Sequence, residues 1–373
     1  MQIAFDAKRI VANGTGLGSY GRTLINALAV ERPTDQFLLY APDKGRDDLR
    51  SQIIERPNIS FVYPEQKPFP FYKSYWRSKG IVKQLKHDEI DVFHGLSGEL
   101  PIGLKAAGIK GIVTIHDLIF LRHPEFYHWI DTKIYARKFH HTLREADRII
   151  AISECTKRDI LYYGDFPEDK IDVIYQSCGT RFAEKSSDAS NRQVKEKYQL
   201  PDRYILFVGT IEARKNALLA VKALRQLPDD LSLVMLGRST GYVKTLLSYI
   251  QQHGLGHRVC FLHGVPNEDL PSVYQQAEAF VYPSRYEGFG IPIIEAIQSG
   301  LPVVAATGSC LEEAGGPDCL YVHPDDAEGM AKAVLSAIKE RKERVERSRD
   351  YVRRFENQNV AQQVVEVYER VKR

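Results

Sequence analysis

Short apolar runs alternate with longer amphipathic segments along almost the whole chain, and this alternation constrains the fold more than any other feature. Ile3–Phe5, Phe37–Tyr40, Ile59–Val62, Val92–Phe93, Gly111–Ile115 and Arg148–Ala151 read as strands, with Leu17–Val30, Lys79–Lys86 and Thr132–Leu143 as helices between them. Strands and helices taken in turn predict a parallel sheet wound with helices. After Ile171–Ile174 a polar, Ser-rich stretch, Lys185–Asn191, interrupts the pattern. It resumes with Tyr204–Val208, Ser232–Leu236, Val259–Leu262, Ala279–Tyr282 and Leu301–Ala305.

The expected class is therefore α/β, with two Rossmann-like doubly wound domains, residues 1–180 and 181–354, facing across a cleft. A chain of 373 residues is long enough for each to bury its own core. The tail from Ala331 has a helical pattern, and the Arg and Glu interleaved through Lys339–Arg354 read as a solvated helix face. The last segment, 355–373, is expected to pack back onto the first domain.

With 43% hydrophobic and 27% charged residues, neither disorder nor a fibrous repeat needs considering. A net charge of +3 is too small to imply nucleic-acid binding unless basic residues gather on one face, so no nucleic-acid partner is expected. The five cysteines are odd in number and widely spaced, without a C-x-x-C pair. They read as reduced, packed thiols rather than as a disulfide framework or a zinc site. Met1–Ala7 leads straight into a strand pattern with no secretion signal, and no apolar run approaches the length of a membrane span. A cytoplasmic protein is expected, with any membrane contact peripheral and at the inner face.

The segment Pro283–Ala296 follows a strand and opens a helix, with Pro292 suited to the first turn. Gly288 and Gly290, flanking Phe289, would let backbone N–H groups approach a ligand at a positive helix end. Glu287 and Glu295 bracket this turn. Either glutamate alone reads as a surface acid or a complement to the helix dipole. Arg214 and Lys215, just beyond the strand Tyr204–Val208, add two cations where the ligands of open parallel sheets gather. Two cations and a helix N-terminus suit a diphosphate.

Glu287 to Glu295 matches the E-x7-E signature of the retaining glycosyltransferase family 4, and its surroundings resemble that family closely. Further matches are Phe261–Val265, Arg214–Asn216, Ala146–Arg148 running into Ile152–Glu154, and His116–Leu118. The resemblance implies a GT-B fold and transfer of a hexose from a nucleotide sugar to a hydroxyl with retention. It also implies roles. Glu295 would bind the ribose, Glu287 the donor sugar, and backbone near Val265 the base. Arg214 and Lys215 would stabilise the departing diphosphate, assisted by Gly209 and the Gly288–Gly290 amides. Many relatives carry an Arg directly after the glycine that here is Gly209, whereas this chain has Thr210.

Near the N-terminus, Gly16 to Gly21 spell G-x-G-x-x-G, with Asp43 some way beyond. The run sits too far past the strand Ile3–Phe5 for a dinucleotide turn. In the resembling family this loop lends backbone N–H groups, chiefly at Gly16, to the donor phosphates. His116 ends a strand at the position that contacts the donor sugar in that family. His94 has a similar placement, expected to contact the acceptor or line the cleft. From Lys67 to Lys86, basic and aromatic side chains interleave without an acid. They read either as a contact with an anionic membrane or as a helix whose aromatics cover the core.

The residues after His116 look most like those of bacterial polysaccharide mannosyltransferases. That suggests GDP-mannose as donor, with UDP- or other GDP-hexoses as alternatives and a glycan or polyprenyl-linked acceptor. No cofactor or metal is expected. Two other classes are a hydrolase using Glu287 and Glu295 as an acid and base pair, and a non-catalytic sugar-nucleotide-binding protein.

Overall fold

A computed structural model describes residues 1–65 and 71–372. The chain divides into two compact units, Met1–Ser177 with Phe355–Arg373, and Cys178–Arg354.

The first unit holds seven parallel strands: β1 (Gln2–Asp6), β2 (Gln36–Tyr40), β3 (Ile59–Val62), β4 (Val92–Gly95), β5 (Lys110–Ile115), β6 (Arg148–Ala151) and β7 (Ile171–Val173). Their order is β3-β2-β1-β4-β5-β6-β7, so the winding reverses between β1 and β4, where Ile3 pairs Val92 and Phe5 pairs His94. Both sheet faces are covered, which is why β1, β4 and β5 read as unbroken apolar runs. Ile10, Leu24, Ile25 and Leu28 cover one face together with Val360, Val364 and Tyr368 of the helix Asn357–Lys372. Trp76, Ile81, Leu85, Phe139 and Leu143 cover the other.

The second unit holds six parallel strands: β8 (Tyr204–Val208), β9 (Ser232–Leu236), β10 (Val259–Leu262), β11 (Ala279–Tyr282), β12 (Val303–Ala306) and β13 (Leu320–Val322). The order β10-β9-β8-β11-β12-β13 puts the reversal between β8 and β11. The core is formed by Leu219, Ala220, Val221 and Leu224 of one helix and Met330, Val334 and Ala337 of another, packed on Ile205, Phe207, Leu233 and Val281.

Three expectations are revised. The Ser-rich run is not merely a polar connector, because Ser187 caps the helix Asp188–Tyr198 and accepts a hydrogen bond from the Ser190 N–H at 3.1 Å. The helix Lys79–Lys86 is longer at its start, running from Tyr72 through a π-turn, Trp76–Gly80, into Ile81–His87. The charged helix Arg341–Val352 is more than a solvated face. Arg341 donates to the carbonyls of Gly300 and Ala277 at 3.1 and 3.0 Å. Arg349 donates to those of Ile297 and Gln298 at 3.4 and 3.1 Å. Three of these carbonyls, those of Ile297, Gln298 and Gly300, lie at the end of the helix Ile291–Gln298, where the helix itself leaves them open, and that of Ala277 leads into β11.

Candidate functional site

The loops that leave the carboxyl ends of β8 and β11 emerge side by side at the reversal of the second sheet, where open α/β sheets form their crevices. Asn216 fastens them together. Its backbone is left-handed, with φ of 53°, and its amide donates to the Pro283 carbonyl at 3.1 Å and the Pro324 carbonyl at 2.7 Å. The Arg285 N–H adds a hydrogen bond to the Arg214 carbonyl at 2.9 Å.

This fastening sets Glu287 against both cations. Arg214 Nη1 lies 2.9 Å from Oε2 and Lys215 Nζ lies 2.6 Å from Oε1. Glu287 is only 8% exposed. Burial alone would raise its carboxyl, but the charges of Lys215 and Arg214 hold it down at about 2. Lys215 also donates to the Tyr282 hydroxyl at 2.8 Å, and its side chain passes over Gly209. Arg214 reaches the Tyr286 carbonyl at 2.7 Å and Glu212 at 2.8 Å. The two cations therefore face two carboxylates, of which Glu212 is the more exposed.

The helix Ile291–Gln298 starts from Gly290, whose φ of 125° is open to glycine and strained for other residues. Cys310 holds the preceding turn from behind, its Sγ donating to the Glu287 and Phe289 carbonyls at 3.1 and 2.9 Å. Phe289 is buried and Gly288 half-buried. Glu295 lies one turn further into the helix than the first turn, half-buried, and accepts from the Tyr274 hydroxyl at 2.7 Å. Burial raises its carboxyl, opposed by the Tyr274 hydrogen bond and the charge of Arg181. Val265 follows β10, the edge strand, and lies beyond His263, whose Nδ1 donates to the Gly237 carbonyl at 2.5 Å.

In the first unit both candidate histidines are fully engaged. His116 Nε2 donates to the Leu96 carbonyl at 2.8 Å, and Nδ1 accepts from the Gln176 amide at 2.6 Å. Its ring meets the edge of Tyr20, and burial lowers its pKa to about 4. His94 is 0% exposed, with Nδ1 bonded to the Tyr368 hydroxyl at 2.7 Å and Nε2 to the Thr114 hydroxyl at 2.8 Å. Here the acceptor or cleft expectation fails: His94 has no surface to offer, and it anchors the C-terminal helix instead. Its pKa is lowered by burial to about 3.

Gly16 opens the helix Gly16–Glu31 and is exposed, with open space where a side chain would stand. Gly18 is different, since a Cβ there would lie 1.8 Å from the Asn13 carbonyl oxygen. A short helix, Lys8–Ala12, separates this run from β1, so the glycines do not turn directly out of the strand.

The basic and aromatic segment divides. Lys67 and Phe69 lie outside the described residues. Trp76 belongs to the core, and Arg77 is held by Asp6 and Glu99 at 2.7 Å each. Phe71, Tyr75, Lys79 and Lys83 are exposed. No helix among the described residues is long and apolar enough to cross a membrane.

Sequence reasoning passed over Tyr274, Tyr282 and Gln176. The two tyrosines were legible only as apolar bulk, although a buried phenol needs a hydrogen-bond partner and so points toward polar neighbours.

The family model for glycosyl transferases group 1 matches residues 189–355, and that for glycosyltransferase family 4 matches residues 15–178. The chain is 27% identical to the O-antigen chain mannosyltransferase B of Escherichia coli, over 91% of each chain. It is 29% identical to the O-antigen chain mannosyltransferase RfbU of Salmonella typhimurium, over 95% of this chain and 96% of that one. Among solved structures, Anabaena HepE in complex with UDP and glucose superposes over 99% of this chain and 100% of its own, with a TM-score of 0.76 and 19% identity.

Proposed function

The chain is a glycosyltransferase of GT-B fold, and from that premise we propose that it transfers mannose from GDP-mannose, with retention, to a glycan or polyprenyl-linked hydroxyl in the assembly of a cell-surface polysaccharide. The observation that carries the donor site is the buried Glu287 held by Arg214 and Lys215 at the sheet reversal. Mannose is favoured because both O-antigen relatives, matched along nearly their whole length, are mannosyltransferases.

In this reading Glu287, ionised at neutral pH, accepts hydrogen bonds from donor-sugar hydroxyls, and Glu295 accepts from the ribose. A diphosphate reaching Arg214 displaces the more exposed Glu212, and Arg214 and Lys215 then balance the charge that grows on the phosphate as the glycosidic bond breaks. The backbone N–H groups of Gly288 to Gly290 add to that balance, with Gly209 leaving room for the Lys215 side chain and Val265 backing the base. Gly16 supplies a further amide to the phosphates, and His116, neutral, offers its ring to the sugar. The leaving phosphate itself takes the acceptor's proton, so neither a protein nucleophile nor a divalent metal is required. The work is done at the inner face of the membrane, in the cytoplasm.

The test is a thermal-shift comparison of GDP-, UDP- and dTDP-sugars, followed by NMR assignment of the anomeric configuration of the product, with and without EDTA. A ligand that binds only the native state raises its stability by mass action. Stabilisation by UDP-sugars and not by GDP-mannose overturns the donor assignment, and product inversion overturns the mechanism. Sugar release without any nucleotide requirement would indicate a hydrolase, and binding without turnover a non-catalytic protein.

A further inference from the structure

A cavity of about 480 Å³ lies wholly within the first unit, between the Arg77–Ile81 segment and the long helix Trp129–Glu145. Phe93, Leu100 and Ile81 give it an apolar wall. At its margin two isoleucines stand unusually open, Ile102 at 45% and Ile134 at 48% exposure.

The charged lining is unbalanced. Four cationic side chains, Arg77, Arg137, Lys138 and Arg144, meet two carboxylates, Asp6 and Glu99, leaving two positive charges in excess. Both carboxylates are already spoken for: Arg77 binds each at 2.7 Å, and Lys138 binds Glu99 at 3.0 Å. Among the described residues no carboxylate pairs with Arg137 or Arg144. In the same wall, His141 Nε2 is buried without a hydrogen-bond partner. An apolar wall beside two guanidinium groups without a carboxylate partner specifies an amphiphile with an anionic head. Guanidinium forks suit the oxygens of phosphate in particular. The volume lies in the range of cavities that hold small ligands.

We propose that this cavity binds a single-chain lipid phosphate, its phosphate on Arg137 and Arg144 and its chain running past Ile134 and Ile102. Trp129 and Ile130 are exposed on the same helix, with Lys133 Nζ over the Trp129 ring at 4.7 Å, an apolar and basic combination that suits the surface of an anionic lipid assembly. The inference deepens the proposed function by naming the acceptor's lipid end, and it rests on that reading for its biological meaning alone.

The experiment titrates farnesyl phosphate, below its aggregation concentration, into the full chain by calorimetry. Farnesol, inorganic phosphate and vesicles of anionic phospholipid are run alongside. Saturable binding of one farnesyl phosphate is expected, at least tenfold weaker for Arg137→Glu combined with Arg144→Glu and for Ile134→Asp, with farnesol and phosphate each at least tenfold weaker on wild type. The nucleotide-induced thermal shift should persist in every variant, which shows that they are folded and separates this result from failure of the donor assignment. Absence of farnesyl phosphate binding, equal binding by the variants, or binding to vesicles without binding to the monomeric lipid overturns the proposal.

Discussion

Lys215 Nζ lies 2.6 Å from Glu287 Oε1 inside the second unit, and each of the two side chains is less than one-sixth exposed. Replacing Glu287 by Ala leaves Lys215 without a carboxylate in a desolvated site and Arg214 with Glu212 alone, which costs about 3 kcal/mol. Lys215→Ala leaves Glu287 its Arg214 partner at 2.9 Å and is expected to cost less stability. Both variants should lose at least a hundredfold in turnover. Urea denaturation and donor-consumption assays check the two halves separately, and near-normal turnover in either variant would refute the assigned roles.

Asn216 offers a finer test, because it combines a left-handed backbone with two hydrogen bonds to carbonyls. Asn216→Ala loses both and should cost about 2 to 3 kcal/mol. Asn216→Gly loses only the hydrogen bonds and should be about 1 kcal/mol more stable than the Ala variant. Equal stabilities by equilibrium denaturation would show that the backbone conformation carries no cost.

The glycines of the N-terminal run should separate cleanly. Gly18→Ala drives a Cβ into the Asn13 carbonyl and is expected to lower the melting temperature markedly. Gly16→Ala meets open space. It keeps the backbone N–H, so it should leave the melting temperature within a degree or two and weaken donor binding through its methyl group, where a phosphate packs closely on Gly16. Unchanged nucleotide affinity in a stable Gly16→Ala protein shows that no phosphate packs against this residue.

Acid should loosen the protein in two stages. His94 and His116 titrate at about 3 and about 4 in the fold, against an ordinary value of 6.5. The unfolded chain therefore takes up their protons first, and stability falls as pH drops below 6.5, by roughly 1.4 kcal/mol per pH unit per histidine. Glu287 is held at about 2 against an ordinary 4.5, so its contribution is present above 4.5 and is lost as pH falls toward 2. His94→Gln should roughly halve the slope of the upper stage, leaving the His116 part, and leave the lower one. Denaturation midpoints measured from pH 8 to pH 3 decide it.

Strand positions were legible because a strand buried on both faces leaves a continuous apolar run, as in Tyr204–Val208 and Ala279–Tyr282. The parts that stayed hidden depend on which partner a side chain finds. Arg77 looked like one more cation in a basic stretch, yet it is consumed by Asp6, far away in sequence. His94 and His116 occupy similar strand ends, yet His94 is met by Tyr368, which arrives from the C-terminal helix far along the chain. Ser187 is the same residue type whether it lies in a linker or caps a helix. In the sequence Arg214 and Lys215 stand out as cations beyond a strand end and Glu287 through the E-x7-E resemblance, whereas their pairing with one another and Glu212 as a competing partner of Arg214 are not legible there.

The helix Asn357–Lys372 closes the hydrophobic core of the first unit, although the whole second unit, Cys178–Arg354, precedes it in the chain. During synthesis the first sheet is thus made early and left with an open flank until the second unit has emerged. The second unit can fold on its own schedule, while the first must wait. Loss of the C-terminal helix would then be felt as damage at the opposite end of the polypeptide, around Leu24, Leu28 and His94.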